Sequence, residues 1–370
     1  MLKRSKGVLR AAATAVRTAR EVKDRCGVPL HRQFRDMAGL KASTGLGPAD
    51  YFRYALFDRE RVPDRRAART FGGWRLFEEF LHYSRPEYQG LAHKHVLYRL
   101  LESFDLPVPR IHRVYAPVPD CFERHRALAT PSELAAYLRT TDDLPLFGKP
   151  SNASAGYGAL AISGRPDPEH LEFLDGTRAT LDETVARIHG FARERRTYLL
   201  TEMLEQRDDI RAICGRCIAS LRVVMLVRHG RPEVFRVVIL LPSSRQQTSN
   251  CRHMTSASVL GRVDPATGRI SRAIRSEGPF YEYSPHHPET GFPLEGHVLA
   301  GWPQVLDLMH AAALAMAPFR MQHWDVALTT RGPVLMEMNV HGDEGGLQLH
   351  GPPGALDEQY LSFAREHRVW

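Results

Sequence analysis

Three oxygen-bearing side chains near the end of this sequence have the types and spacing of a divalent-metal site. Asp325 lies in the apolar run His323 to Thr329, and Glu337 and Asn339 lie in the run Val334 to Asn339. Thr330-Arg331-Gly332-Pro333 between them reads as a hairpin turn. Side chains alternate along a strand, so Glu337 and Asn339 share a face and Asp325 can meet them across the turn. Hard oxygen donors of this kind suit magnesium, which takes one or two carboxylates and completes its shell with nucleotide phosphates. The alternative is a pair of solvated edge-strand charges. It sits poorly with the neighbours Trp324, Val326, Ala327, Leu335, Met336 and Met338, because an unpaired carboxylate among apolar groups is costly.

Two further stretches could serve a nucleotide. Phe147-Gly148-Lys149-Pro150 ends a short strand and runs into a small-residue loop that contains Ser154, Gly156 and Gly158. Amides of such a loop can approach phosphate oxygens while Lys149 supplies a point charge; the same residues also make ordinary loops, and this is not the P-loop pattern. Tyr198 to Met203 is an apolar strand ending in acids. It could offer its backbone to an adenine edge and Asp208 or Asp209 to ribose hydroxyls, or be a plain strand end.

Cysteine spacing offers a rival site. Cys214 and Cys217 precede one strand of a hairpin, and Cys251 with His253 follows the other, so four zinc-type ligands could converge. Reduced thiols are the simpler reading, and no thioredoxin-like context supports a redox pair. There is no HExxH and no GxSxG, so hydrolase chemistry lacks support.

The elements that must position these groups alternate along the chain. A basic amphipathic helix is expected over residues 2–24, able either to pack on the domain or to lie on an anionic membrane surface. Packed helices are expected between Pro48 and Tyr88, then a helix from Leu91 to Phe104 and a strand from Ile111 to Tyr115. Strands 145–149 and 159–163 bracket the small-residue loop. A helix over 181–194 and a strand over 197–203 follow. Next come a hairpin of strands 219–227 and 234–241, a strand over 259–263 and a helix over 302–318. Strands 323–329 and 334–339 and a glycine-rich tail close the chain.

With 370 residues, 43% hydrophobic and 25% charged, the chain can build two or three ordinary cores, and general disorder is excluded. The net charge of +8 favours an anionic ligand. Five cysteines in this length make no disulfide framework, and no apolar run is long enough to span a membrane, so a reducing, cytoplasmic setting is expected.

Taken in this order, the lysine and glycine-rich hairpin, the acidic hinge strand and the terminal metal-type strands resemble the ATP-grasp superfamily. The chain is most similar to its sugar-transfer-associated family, beside the alpha-L-glutamate ligase-like members. The matching stretches are Ser220-Leu221-Arg222-Val223-Val224, Val263-Asp264-Pro265-Ala266-Thr267-Gly268, His287-Pro288-Glu289-Thr290-Gly291-Phe292, Trp324-Asp325-Val326-Ala327, and Gly332 to Asn339. The resemblance implies an α+β ATP-grasp fold in which two α+β subdomains clasp ATP. The expected divisions are a helical segment over 1–85, one lobe over 86–200 and a second over 201–370.

It further implies that Lys149 and Lys94 bind phosphates, that Glu202 lies at the adenine hinge and that Arg222 faces the γ-phosphate. Asp325, Glu337 and Asn339 would hold two magnesium ions. The activity implied is an ADP-forming carboxylate-amine ligase working through an acyl phosphate, on a small-molecule or peptide carboxylate and an amine acceptor, in a biosynthetic or cell-surface polysaccharide pathway. A small-molecule kinase, and a non-catalytic basic module that binds an anionic polymer, are the alternatives; nucleic acid is not an expected partner. Two departures stand out. Thr248 to Ser256 lacks the paired glycines expected there, and the first 85 residues are helical where a Rossmann-like lobe is usual.

Overall fold

The computed structural model describes residues 2–73, 90–117, 127–154, 156–195, 197–244, 246–248, 258–277, 280–339, 342 and 345–367. Four helices open the described chain: α1 (Leu2–Cys26), α2 (Leu30–Thr44), α3 (Pro48–Arg53) and α4 (Arg65–Ala68). The expected helices between Pro48 and Tyr88 are therefore α3 and α4, and the part beyond residue 73 lies outside the described residues. Ala19 and Val22 of α1 are fully buried, as a helix packed on the domain requires.

The first sheet has seven strands in the order β2-β1-β7-β3-β4-β5-β6. These are β1 (Ile111–Tyr115), β2 (Ala127–Leu128), β3 (Leu146–Pro150), β4 (Leu160–Asp167), β5 (His170–Phe173), β6 (Arg178–Thr180) and β7 (Tyr198–Glu202). α5 (Lys94–Glu102) precedes it, and α6 (Pro131–Thr140) and α7 (Leu181–Arg195) cover one face, burying Leu134, Leu138, Val185 and Ile188 against Leu146, Ile162 and Leu200. α6 was not expected. Its signal is local: Thr130 accepts from the Glu133 amide at 3.2 Å while the Glu133 carboxylate accepts from the Thr130 amide at 3.2 Å, a capping box with Pro131 in the first turn.

After α8 (Asp208–Cys214), the second sheet is antiparallel throughout, in the order β12-β11-β10-β9-β8-β13-β14. It comprises β8 (Ser220–Arg228), β9 (Arg231–Leu241), β10 (Val259–Val263), β11 (Ile270–Glu277), β12 (Phe280–Tyr283), β13 (Met321–Thr329) and β14 (Gly332–Met338). The β8–β9 connection is tighter than the gap between the expected strands 219–227 and 234–241: His229 and Gly230 alone turn the chain, at φ 46° and 77°. Two successive positive φ values make the mirror-image turn whose twist matches paired strands.

β8 is buried on both faces, which explains its continuous apolar run. Leu221, Val223 and Met225 pack under α9 (Trp302–Ala315), whose Val305, Met309 and Ala312 form the opposing stripe. Val224 and Leu226 point the other way, into a core shared with Tyr51, Phe52, Phe57 and Val62 of the N-terminal segment and with Tyr360 and Phe363 of α11 (Glu358–His367). Between β14 and α11 lies the short α10 (Gly345–Gln348). The tail is thus helical, not merely glycine-rich, and the first helices are a layer of the second lobe. Arg222 is the charged interruption in β8.

Candidate active site between the two sheets

The two sheets enclose a cleft of about 1030 Å³. One wall is β3 and the loop after it, with Phe147, Lys149, Ala153, Gly156 and Tyr157; the opposite wall is Ser220, Asp325, Met336 and Glu337, and Glu202, Met203 and Leu204 close the back. Lys94 reaches in from the start of α5.

Asp325 and Glu337 are direct register partners on β13 and β14, and Arg222 is the partner of Asp325 on β8. Register partners project to the same side of a sheet, so all three face the cleft side. A bulge between Asp325 and Val326 leaves Met336 unmatched and keeps Glu337 opposite Asp325. Arg222 donates from Nε to Asp325 Oδ1 at 2.5 Å and from its terminal nitrogen to Oδ2 at 3.2 Å, and Asn339 Nδ2 donates to Oδ2 at 3.1 Å. Lys94 Nζ lies 3.1 Å from Glu337 Oε1 and donates to the Ala153 carbonyl at 2.6 Å. One ammonium thereby ties the last strand to the small-residue loop.

Lys149 donates to the Tyr98 hydroxyl at 2.7 Å, and that hydroxyl donates to the Met336 carbonyl at 2.6 Å. Burial, helped by the Lys94 charge and opposed by Glu337 and Asp325, brings the Lys149 ammonium down to about 7. Tyr98, fully buried, is pushed well above the usual phenol range, first by burial and then by the two carboxylates. Tyr98 was not among the expected site residues. It stands four positions after Lys94, on the same helix face, and that spacing is the signal that could have marked it. Gly148 is pressed against Tyr198: a Cβ there would lie 2.7 Å from the ring.

Other expected residues are placed differently. Glu202 lines the cleft, but its Oε1 accepts from the Arg110 amide at 2.7 Å and from Arg331 at 2.5 Å. Gly156 lines the cleft; Ser154 and Gly158 belong to the same loop without lining it, and Gly158 accepts from the Tyr198 hydroxyl at 2.8 Å. Asp208 and Asp209 are not brought to the cleft: Asp208 is exposed at the start of α8, and Asp209 is paired with Arg207 at 2.6 Å.

Cys214 and Cys217 are buried, with thiols pushed up to about 12 by burial; Cys214 takes its contacts from Gln206 and the Ile210 carbonyl. Cys251 and His253 lie outside the described residues. Residues that sequence reasoning missed are Arg216, which lines the cleft, and Gln247, which bonds Asp175 at 2.6 Å and the Ala161 amide at 3.3 Å and so joins the lobes.

The donor set fits magnesium. Two carboxylates and an amide oxygen, on one sheet face, are hard ligands that need phosphate oxygens to complete a shell. Their present partners, Arg222 and Lys94, are the countercharges that a divalent cation would share. Among the described residues no cluster of three or more His, Cys, Asp or Glu side chains forms a self-sufficient metal cage.

Two α+β lobes, a small-residue hairpin tip over the cleft and a terminal carboxylate-bearing strand pair define an ATP-grasp fold. The model of the sugar-transfer associated ATP-grasp family matches residues 77–360, and the chain belongs to that family. Solved structures similar in fold include VanG D-Ala:D-Ser ligase from Enterococcus faecalis, at 12% identity over 74% of this chain and 62% of that one, TM-score 0.40. Another is the D-alanine-D-alanine ligase from Coxiella burnetii, at 11%, 74%, 52% and 0.37. The ATP-grasp ligase PsnB complexed with minimal precursor stands at 13%, 77%, 64% and 0.36. The chain spans between about half and two thirds of the length of these structures. No curated protein sequence matches it.

Proposed function

We propose that the protein binds Mg-ATP in this cleft and uses it to activate a substrate carboxylate for attack by an amine, releasing ADP. The observation that carries this reading is the register pairing of Asp325 with Glu337 on the cleft face, opposite Lys149 and Lys94 from the other lobe. Lys94 and Lys149 would hold phosphate oxygens, Arg222 would sit at the γ-phosphate, and Asp325, Glu337 and Asn339 would hold magnesium. The Met203–Leu204 backbone would meet the adenine, with Glu202 fixed behind it by Arg331 and Arg110.

No side-chain nucleophile is required. The residues align the transferring phosphoryl group and compensate its charge, and the apolar wall of Phe147, Ala161, Leu174 and Met336 excludes water that would hydrolyse an activated acyl group. Bound magnesium would neutralise charge on the phosphates. The family's association with sugar transfer supports a place in the biosynthesis of a cell-surface polymer. The reading places the protein in the cytoplasm, at work on small or peptide substrates; no helix among the described residues is long and apolar enough to cross a membrane.

The test is ADP release against a panel of carboxylates and amines. Turnover that needs both supports the ligase. Phosphorylation of an alcohol with no carboxylate requirement would make the protein a kinase. A melting temperature unmoved by Mg-ATP, with salt-sensitive polymer binding that survives Glu337→Gln, would favour the non-catalytic module.

A further inference from the structure

Six strands of the second sheet contribute one residue each to a single lateral row. Glu337, Asp325, Arg222, Val238, Arg262 and Arg272 are successive register partners from β14 through β13, β8, β9 and β10 to β11. They share a face, so the row that starts at the candidate metal ligands ends in arginines. Strands lie 4.7–4.9 Å apart, which puts Arg262 roughly 10 Å from Arg222. Arg236, two positions before Val238 on β9, projects to the same side.

Arg236 and Arg262 border a second cavity of about 580 Å³, lined also by Val238, Leu347 and Ser271 among others; Arg272 stands beside it as the register partner of Arg262 on β11. Arg61 joins them from the segment between α3 and α4, donating to the carbonyls of Leu349 and, at 3.3 Å, Tyr281; its buried Nε has no partner among the described residues. Countercharge is scarce. Asp357 pairs with Arg236, and Asp58 acts on Arg61 at longer range. Asp264 at the rim spends its carboxylate on Thr267 and the Ala266 amide. Among the described residues Arg262 hydrogen-bonds the Pro353 carbonyl, at 3.4 Å, and shares the charge of Asp357 with Arg236, while Arg272 lies over the Tyr283 ring with no hydrogen bond. The buried His350, bonded to the Leu260 carbonyl at 2.9 Å, is held neutral first by burial and then by Arg262, Arg61 and Arg272.

The arginines also repel one another. Arg61 is brought down to about 10 by burial and then by Arg272, and Arg262 is lowered by burial and then by Arg236. A fold gains little from gathering like charges around a cavity, whereas guanidinium forks are suited to an oxyanion there.

We propose that Arg61, Arg236, Arg262 and Arg272 form a second, oxyanion-binding subsite. The substrate that meets the nucleotide at Asp325 and Arg222 then carries a further phosphate or carboxylate group roughly 10 Å from its reacting end. The substrate assignment rests on the nucleotide reading of the cleft; the subsite does not.

The experiment is a thermal-shift and calorimetric titration of the full chain with inorganic phosphate, and separately with succinate, while a saturating non-hydrolysable Mg-ATP analogue holds the cleft. Phosphate or succinate should bind on top of the analogue, and the tighter of the two names the substrate's second group. Arg262→Gln and Arg272→Gln should weaken that binding at least tenfold and leave the analogue's affinity unchanged; Arg262→Lys, which keeps charge but loses the fork, should fall between. Without anion, Arg272→Gln should melt no lower than the parent, because it relieves repulsion. Anion binding that competes with the analogue, ignores Arg262→Gln or is absent in the parent overturns the subsite, as does a large loss of melting temperature in Arg272→Gln with anion affinity intact. If the analogue itself fails to bind while phosphate still depends on Arg262, the cleft reading fails and the subsite stands.

Discussion

Lys94 in the first lobe and Glu337 in the second meet across the cleft at 3.1 Å. The ion pair holds the carboxylate where a metal would need it, and the same ammonium holds the loop that would cover the phosphates. Glu337→Gln removes one charge with little change in shape. Nucleotide turnover should fall by orders of magnitude, while the protein still folds with a stability loss of about 1–3 kcal/mol, because the amide oxygen still faces the buried Lys94 but no longer neutralises it. Glu358→Gln, on a surface pair with Arg365, is the control and should change neither. Near-normal magnesium-dependent turnover in Glu337→Gln would sink the site assignment.

Lys149 predicts a pH dependence of nucleotide affinity. Its ammonium is charged below about 7 and neutral above it in the ligand-free protein. An anionic nucleotide favours the charged form, so affinity should decline as pH rises from 6 to 9, and Lys149→Arg should flatten the profile. A pH-independent dissociation constant in the parent would refute the assignment.

The same lysine has a stability signature of known sign. The unfolded chain keeps this proton up to about 10.4, whereas the folded protein releases it near 7. Between those values the unfolded state binds more protons, so stability rises with pH across that window. Lys149→Met should therefore stabilise the ligand-free protein most at pH 6 and progressively less toward pH 10, read from urea midpoints.

Gly148→Ala should destabilise by about 1–3 kcal/mol, since the new methyl must displace the Tyr198 ring or shift β3. The companion Tyr198→Leu, which removes the ring that collides, should recover part of the loss in a double-mutant cycle. Independent, additive effects would show that the two do not touch.

Phe57→Ala probes the helical layer. Phe57 is 4% exposed and meets Phe280 of β12 edge-on at 5.9 Å, so truncation should cost about 3–5 kcal/mol, visible as a lower urea midpoint with an unchanged slope. A loss under about 1 kcal/mol would mean that residues 2–73 are an appendage rather than part of the second lobe.

Strand alternation was enough to put Glu337 and Asn339 on one face from sequence alone, but not to set Asp325 opposite Glu337: the register that starts at Thr329 and Gly332 would place Met336 there, and the bulge between Asp325 and Val326, which no residue pattern announces, brings Glu337 into position. The first-lobe edge, β5 and β6, was not legible: although each strand pairs with its sequence neighbour, His170 to Thr180 mixes Glu172, Asp175 and Arg178 with few apolar positions, so these short strands carry no clear alternation. β11 and β12 escaped for a similar reason, since Arg272 and Arg275 interrupt the pattern that Ile270, Ala273 and Ile274 would otherwise make. Asp208 and Asp209 were misplaced because spacing gives distance along the chain but not the direction in which α8 leaves β7. Tyr98 had only its helical spacing from Lys94 to mark it, and Gln247 depends on contacts between lobes, which no local pattern encodes.

The Tyr98–Met336 hydrogen bond spans 238 residues of chain. A growing polypeptide therefore has no complete cleft until its final strand has emerged, although the first sheet, closed by residue 202, can form well before. Products of interrupted translation would carry the lysines and the small-residue loop without the carboxylates, and would be unable to consume nucleotide. On the nucleotide reading of the cleft, emergence of β13 and β14 would complete what the first lobe has prepared.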